Sequence, residues 1–208
     1  MWLSGGERWL DYDGSMASLA HPRLCFDEYV ALERQAGAKY EFHQGQVFAM
    51  SGGSPAHSII QVNLAAALAP RLNGTPCIAY SSDLRVLVEA SGLYTYPDLS
   101  IVCGPLGLVG GMSATNPKVI FEILSPSTRR YDCIGKFAHY RQIPSLEEYV
   151  LVEQDSYGID RHQRRADGEW ELTQFLGEDA VLELASVNVS VPLRQIYANV
   201  PFELAEQP

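Results

Sequence analysis

No stretch of this sequence stays apolar long enough to cross a bilayer. The longest run, Ile59 to Ala69, is interrupted by Gln61 and Asn63 and falls well short of the roughly 20 residues a spanning helix requires. Met1 to Ala20 carry Trp2, Arg8, Trp9, Asp11 and Asp13 but lack a basic start followed by an apolar segment, so they read as a tail rather than a secretory leader. Cysteine is sparse. Cys25, Cys77, Cys103 and Cys133 are widely separated with no C-x-x-C pair, and those in apolar runs read as small core residues rather than metal ligands or disulfide partners, which suits a reducing cytoplasm. None of the five histidines stands at zinc-ligand spacing, so no zinc is assigned. Positive charge is also scarce: 15 Lys and Arg against 25 Asp and Glu give a formal charge of −10. Affinity for phosphate normally draws on clustered cations that release counterions, so an acidic chain can bind nucleic acid only locally. Arg129, Arg130, Lys136 and Arg141 form one basic group and Arg161, Arg164 and Arg165 another. Each is a candidate for backbone contact, although solvated faces are the commoner case.

What the chain does have is enough apolar residue for one core, which argues for a single domain over residues 21–204 behind the tail. Phe26, Tyr29, Val30 and Leu32 recur at helical spacing and stop at Gly37, and Tyr40 to Met50 alternate around Gln44-Gly45 as a hairpin. Ser54-Pro55 opens a second helix that runs to Asn73-Gly74. Strand signals cover Cys77 to Tyr80, Leu84 to Glu89, Leu99 to Val102 and Val119 to Leu124, where the sheet has its centre. Ser125-Pro126-Ser127-Thr128 caps a third helix, Arg129 to Gln142, that ends ahead of Pro144. Glu148 to Glu153, Ile159 to Arg165, Trp170 to Leu176 and Val181 to Ala185 read as a β meander turning at Asp167-Gly168, and Pro192 starts a short helix to Tyr197. The predicted class is α/β, a mixed central sheet flanked by helices with a C-terminal β meander.

Two carboxylates stand out. Asp98 follows Tyr96-Pro97 and begins an apolar strand, so it sits where a side chain can reach a cleft; Pro-Asp is also an ordinary turn dipeptide. Glu122 is the lone charge in Val119-Ile120-Phe121-Glu122-Ile123-Leu124, the pattern of a strand covered on both faces. A buried carboxylate costs several kcal/mol unless it is paired, protonated or bound to metal. Carboxylates at the heads of neighbouring strands can together hold a hard cation such as Mg²⁺, which accepts one or two protein carboxylates and keeps most of its waters. Such a cation makes its water a better nucleophile and neutralises charge on a phosphoryl oxygen. Lys136 on the third helix can reach back toward Glu122 or stand on the surface; the local sequence does not decide.

The blocks Lys39-Tyr40-Glu41, Met50-Ser51-Gly52-Gly53-Ser54-Pro55-Ala56-His57, Tyr80-Ser81-Ser82-Asp83-Leu84-Arg85-Val86, Tyr94-Thr95-Tyr96-Pro97-Asp98, Asn116-Pro117, Glu122-Ile123-Leu124-Ser125-Pro126-Ser127-Thr128 and Tyr131-Asp132 to Lys136 closely resemble the Uma-two family of restriction-endonuclease-like proteins, over about Pro22 to Phe202. The resemblance implies the PD-(D/E)XK nuclease fold and a Mg²⁺- or Mn²⁺-dependent DNA endonuclease. Asp98 and Glu122 would be metal ligands, Glu41 the acidic residue from the N-terminal region, and Lys136 a lysine migrated from the place that Leu124 occupies. Asp83 and His57 are further candidates, each explained as well by an Asx turn or by helix capping. The nuclease analogy also suggests a homodimer. A binding protein of the same fold without catalysis, acting as a defence or mobile-element accessory, is the alternative. The apolar, Gly-rich loop Gly104 to Thr115 departs from the longer, more acidic segment expected of relatives.

Overall fold

The first helix, α1 (Phe26–Ala36), starts where the Glu28 side chain accepts the Cys25 amide at 2.7 Å and stops at Gly37, whose φ of 62° favours a residue without a side chain. The computed structural model describes residues 23–50 and 52–202, so the expected tail lies outside the described residues. A hairpin follows, β1 (Tyr40–His43) and β2 (Gln46–Ala49), turning through positive φ at Gln44 and Gly45. Ser54 caps α2 (Pro55–Leu72), its hydroxyl accepting the His57 amide at 3.1 Å.

Strands β3 (Cys77–Ser81), β4 (Arg85–Val88), β5 (Leu93–Thr95), β6 (Leu99–Cys103), β7 (Leu108–Val109), β8 (Ser113–Ala114) and β9 (Val119–Ile123) come next. A π-wound turn over Tyr131–Lys136 leads directly into α3 (Phe137–Tyr140), then β10 (Glu148–Val152), β11 (Gly158–Arg164) and β12 (Trp170–Leu176). The chain closes with β13 (Val181–Leu184), β14 (Val189–Pro192) and α4 (Leu193–Ile196).

The central sheet has the order β12-β11-β10-β9-β6-β3, with β9 and β10 parallel and its other pairs antiparallel. It is mixed, as expected, but narrower than the sequence suggests. β4 leaves it, because the turn through Gly92 folds β4 back on β5, and these strands join the hairpin and the Gly104–Thr115 segment in a second sheet, β2-β1-β5-β4-β8-β7. The meander ends at β12; β13 pairs instead with β14, burying Leu182 and Leu184 against α2 and α4.

β9 separates two cores. Val119, Phe121 and Ile123 join Leu64, Leu68 and Ile196 on one face, while Ile120 and Leu124 join Val86, Tyr140 and Tyr149 on the other. Side chains alternate along a strand, so Glu122 shares the face of Ile120 and Leu124 and points toward the second sheet and α3. That interior strand is what places a carboxylate where water scarcely reaches.

One expectation is overturned. Cys77 and Cys103, read as unpaired core residues, lie opposite each other in the β3–β6 register, and their sulfurs are bonded. Antiparallel pairing sets them face to face across 26 residues, a separation at which sequence spacing carries no signal. Closing a loop of that length is worth about 3.5 kcal/mol on the chain-entropy model. Oxidised protein should therefore unfold at lower urea when a reductant is added, and the double variant Cys77→Ser/Cys103→Ser should show no such response.

Candidate functional site

The β6–β9 register pairs Leu99 with Phe121, which brings Asp98, one residue before β6, across from Glu122. Asp98 is tied down from several sides. Its Oδ2 accepts the Ile123 amide at 2.7 Å and lies 3.2 Å from His57 Nε2, while its carbonyl accepts Gln61 Nε2 at 2.8 Å. His57 and Gln61 stand one turn apart on α2, so a single helical stripe holds the head of β6.

Glu122 is 3 % exposed, and its Oε1 accepts the Tyr140 hydroxyl at 2.8 Å and the Lys136 ammonium at 3.1 Å. The same ammonium lies 3.3 Å from Glu41 Oε1 and 3.1 Å from Asp132 Oδ1. Glu41 arrives from β1 and is fixed by the Thr95 hydroxyl of β5, which donates at 2.6 Å. Three carboxylates from β1, β9 and the π-wound turn thus surround one buried lysine, with Asp98 beside Glu122.

The helix delivers that lysine through local chemistry. Ser125 Oγ accepts the Thr128 amide at 3.2 Å, and its carbonyl accepts Arg129 N at 2.9 Å, starting the helical segment. Gly135 then admits the Tyr131 ring, since a Cβ at that position would stand 2.5 Å from Tyr131 Cδ2. In place of the α-helix expected over Arg129 to Gln142, Tyr131–Lys136 are π-wound, a distortion frequent at functional sites. Asp132, Lys136 and Tyr140 form a stripe at steps of four, facing Glu122.

The electrostatics are strained by burial. Desolvation drives the Glu122 carboxyl well above its ordinary range; Lys136 pulls it back, while Asp98 and Asp132 push it further up. Burial alone would make Lys136 less basic, but Glu122, Glu41 and Asp132 together hold its ammonium well above the usual range. Burial likewise holds the Tyr140 phenol protonated, so it serves as a donor to Glu122.

Glu41, Glu122 and Lys136 therefore come into one cluster, with Asp98 at its edge and His57 behind Asp98. Asp83 does not join them: it sits exposed in the turn after β3, bound to Lys39 at 2.5 Å. Three partners went unread in the sequence, Asp132, Tyr140 and Thr95. The four-residue spacing of Asp132, Lys136 and Tyr140 is the signal that could have exposed two of them; Thr95 had none, because its neighbour Glu41 is remote in sequence. The basic groups fare differently from expectation. Arg129 pairs with Glu153, Arg161 with Glu148 and Arg165 with Glu171, and Arg164 donates to the carbonyls of Arg141 and Ile143.

The donors suit a hard divalent cation in kind. They are carboxylate oxygens, and one ammonium does not balance the four carboxylates of Glu41, Asp98, Glu122 and Asp132. Among the described residues, however, no three His, Cys, Asp or Glu side chains converge as ready ligands, and the Lys136 ammonium stands between the carboxylates.

The model of the Uma2 family, described as "Putative restriction endonuclease", matches residues 26–194. The chain is 36 % identical over 185 residues to the uncharacterized protein slr1290 of Synechocystis sp., covering 89 % of this chain and 97 % of that one. It is 34 % identical over 164 residues to the uncharacterized protein sll1609 of the same organism, covering 78 % and 93 %. Among solved structures it is similar to a putative nuclease belonging to DUF820 from Anabaena variabilis, with a TM-score of 0.65 over 78 % of this chain and 91 % of that one, at 17 % identity. That likeness, together with the family match, makes the fold restriction-endonuclease-like.

Proposed function

Since the chain belongs to the Uma2 family, whose model carries the description "Putative restriction endonuclease", we propose that it hydrolyses DNA phosphodiester bonds with the help of Mg²⁺ or Mn²⁺. The observation that carries this reading is the buried Lys136 ammonium held among Glu41, Glu122 and Asp132, with Asp98 alongside. A charged cluster of this kind is weak as a stabilising device, since well-packed apolar side chains would serve the fold at least as well, and buried, displaced carboxylates of this sort are commoner at working sites than elsewhere.

In this reading Glu41, Asp98 and Glu122 would hold the cation. When bound, it supplies an activated water and neutralises charge on the phosphoryl oxygens. The protein's own groups do the rest. Lys136 offers N–H donors to the attacking water and to developing negative charge, in a place where little water competes. Asp132 restrains the lysine, Tyr140 and Thr95 aim Glu122 and Glu41, and His57 with Gln61 steadies Asp98. The expected homodimer belongs to the same proposal; the Cys77–Cys103 bond removes the cysteine argument for a reducing cytoplasm, and among the described residues no helix is long and apolar enough to cross a membrane.

A second reading, a nucleic-acid-binding or accessory protein that does not cut, draws on one observation: the arginine groups are largely spent on internal partners in a chain of charge −10. Supercoiled plasmid separates the two. Wild-type protein with Mn²⁺ or Mg²⁺ should nick and linearise it, and Asp98→Ala should reduce cleavage to background. Millimolar Mn²⁺ should raise the melting temperature of the wild type and not of Asp98→Ala, because only the intact site binds the ion. Stabilisation without cleavage supports the second reading. Neither stabilisation nor cleavage removes the metal site altogether.

A further inference from the structure

β12 is the outermost strand of the central sheet, and its seven residues pair with β11 without a bulge. The bonds at the two ends of that ladder, Arg165 N to the Glu169 carbonyl at 2.7 Å and Gly177 N to the Tyr157 carbonyl at 3.0 Å, set its alternation. Odd-numbered residues of β12 turn their amides and carbonyls toward β11. Trp170, Leu172, Gln174 and Leu176 turn theirs outward, where no strand meets them among the described residues. Edge strands are commonly guarded by proline, lysine, bulges or inward-pointing charge. β12 has none of these, and its one charged residue, Glu171, is already paired with Arg165. Leu172 and Leu176 are instead 50 % and 68 % exposed on one face of the strand.

We infer that β12 pairs with β12 of a second copy of this chain, antiparallel about a two-fold axis at Gln174, so that two central sheets become one. The strand complements itself in that register. Leu172 stands opposite Leu176 of the second copy on both sides of the axis, so the two exposed leucines cover each other. Leu172, Gln174 and Leu176 all bond outward, and the three pairs they form supply about six main-chain hydrogen bonds. Thr173 then faces Phe175 and Glu171 faces Gly177, so no like charges are opposed along the strand, which matters in a chain of formal charge −10. Centring on Glu171 would oppose the two carboxylates directly, and centring on Thr173 would set the leucines against Gln174 and Trp170. Gln174 is already anchored on the axis, its Nε2 donating to Asp160 Oδ1 at 2.9 Å. Such pairing supplies the contact for the homodimer proposed above and stands apart from phosphodiester cleavage: an inactive dimer leaves it intact, and a monomeric nuclease removes it alone.

The test is analytical ultracentrifugation of the full-length protein at micromolar concentration, where the wild type should sediment as a dimer. Gln174→Pro removes an outward amide and no bond to β11, so it should weaken the dimer about tenfold or more while the far-ultraviolet circular dichroism stays that of the wild type. Leu172→Lys and Leu176→Glu should each give a monomer. The double variant Leu172→Lys/Leu176→Glu should dimerise again, because the register centred on Gln174 sets each new ammonium opposite a new carboxylate of the second copy. Misfolding of the single variants would not produce that rescue. A monomeric wild type would overturn the proposal. So would a dimer that persists in both Gln174→Pro and Leu172→Lys, or a double variant that stays monomeric.

Discussion

Replacing Lys136 with Met should lower plasmid cleavage on the order of 100-fold or more and cost the fold about 3–5 kcal/mol at neutral pH. Both effects have one origin. The ammonium is the only cation among Glu41, Glu122 and Asp132 in the described residues, and it is 6 % exposed, so its removal strands carboxylates that burial already disfavours in their charged form. The sign of the pH dependence follows. Glu122 titrates well above its ordinary value of 4.5 in the folded state, so its charge opposes folding increasingly as pH rises through that value toward the folded one. Without Lys136 its carboxyl moves further up, and the deficit of Lys136→Met relative to the wild type should be small in acid and widen toward neutrality. Urea unfolding across that range measures it. Adding Glu122→Gln to Lys136→Met should recover part of the lost stability and none of the cleavage, because it removes the stranded charge without restoring a donor. A neutral-pH loss below about 1 kcal/mol would mean that the lysine is not held among the carboxylates as described.

Much of this site could be read from residues alone, because Glu122 breaks an otherwise apolar strand and a lone buried charge demands partners. Asp98 followed from its place at the head of the neighbouring strand. Lys136 came from resemblance rather than physics: α-helical spacing leaves its direction open, and the π-wound turn that aims it depends on Gly135 making room for Tyr131. The second sheet was hidden because β5, β7 and β8 have only three, two and two residues, too short for alternation to register. The Cys77–Cys103 bond and the Thr95–Glu41 contact were hidden for another reason, being set by register between strands remote in sequence. The basic groups misled in the opposite direction. A run of arginines reads as a surface for phosphate, yet here each of Arg129, Arg161 and Arg165 is opposed by a glutamate that only the fold brings near.

Arg85→Met should be the costliest change away from the cluster, at about 3–5 kcal/mol, because it breaks a buried pair from one side. Arg85 is 4 % exposed; its Nη1 reaches Glu33 at 3.0 Å and its Nε reaches Ser113 at 2.9 Å. Its guanidinium also lies 5.4, 5.4 and 5.6 Å from the ring centres of Phe26, Tyr29 and Tyr94. Glu33 is a hub in turn, accepting from Tyr29, Tyr96 and the Tyr40 amide, so one ion pair pins α1 to three strands of the second sheet. Arg85→Lys should recover little, since an ammonium cannot span Glu33 and Ser113 in the fixed fork that a guanidinium provides. Arg85→Met combined with Glu33→Gln should be milder than Arg85→Met alone, because the companion change removes the stranded carboxylate. The consequence for function runs through β1 and β5, which neighbour each other in this sheet and carry Glu41 and Thr95. If that frame sets the position of Glu41, cleavage by Arg85→Met should fall even at temperatures where the variant remains folded by circular dichroism. Full activity in a folded Arg85→Met protein would instead confine the ion pair to stability and leave the aim of Glu41 to Thr95 and Lys136.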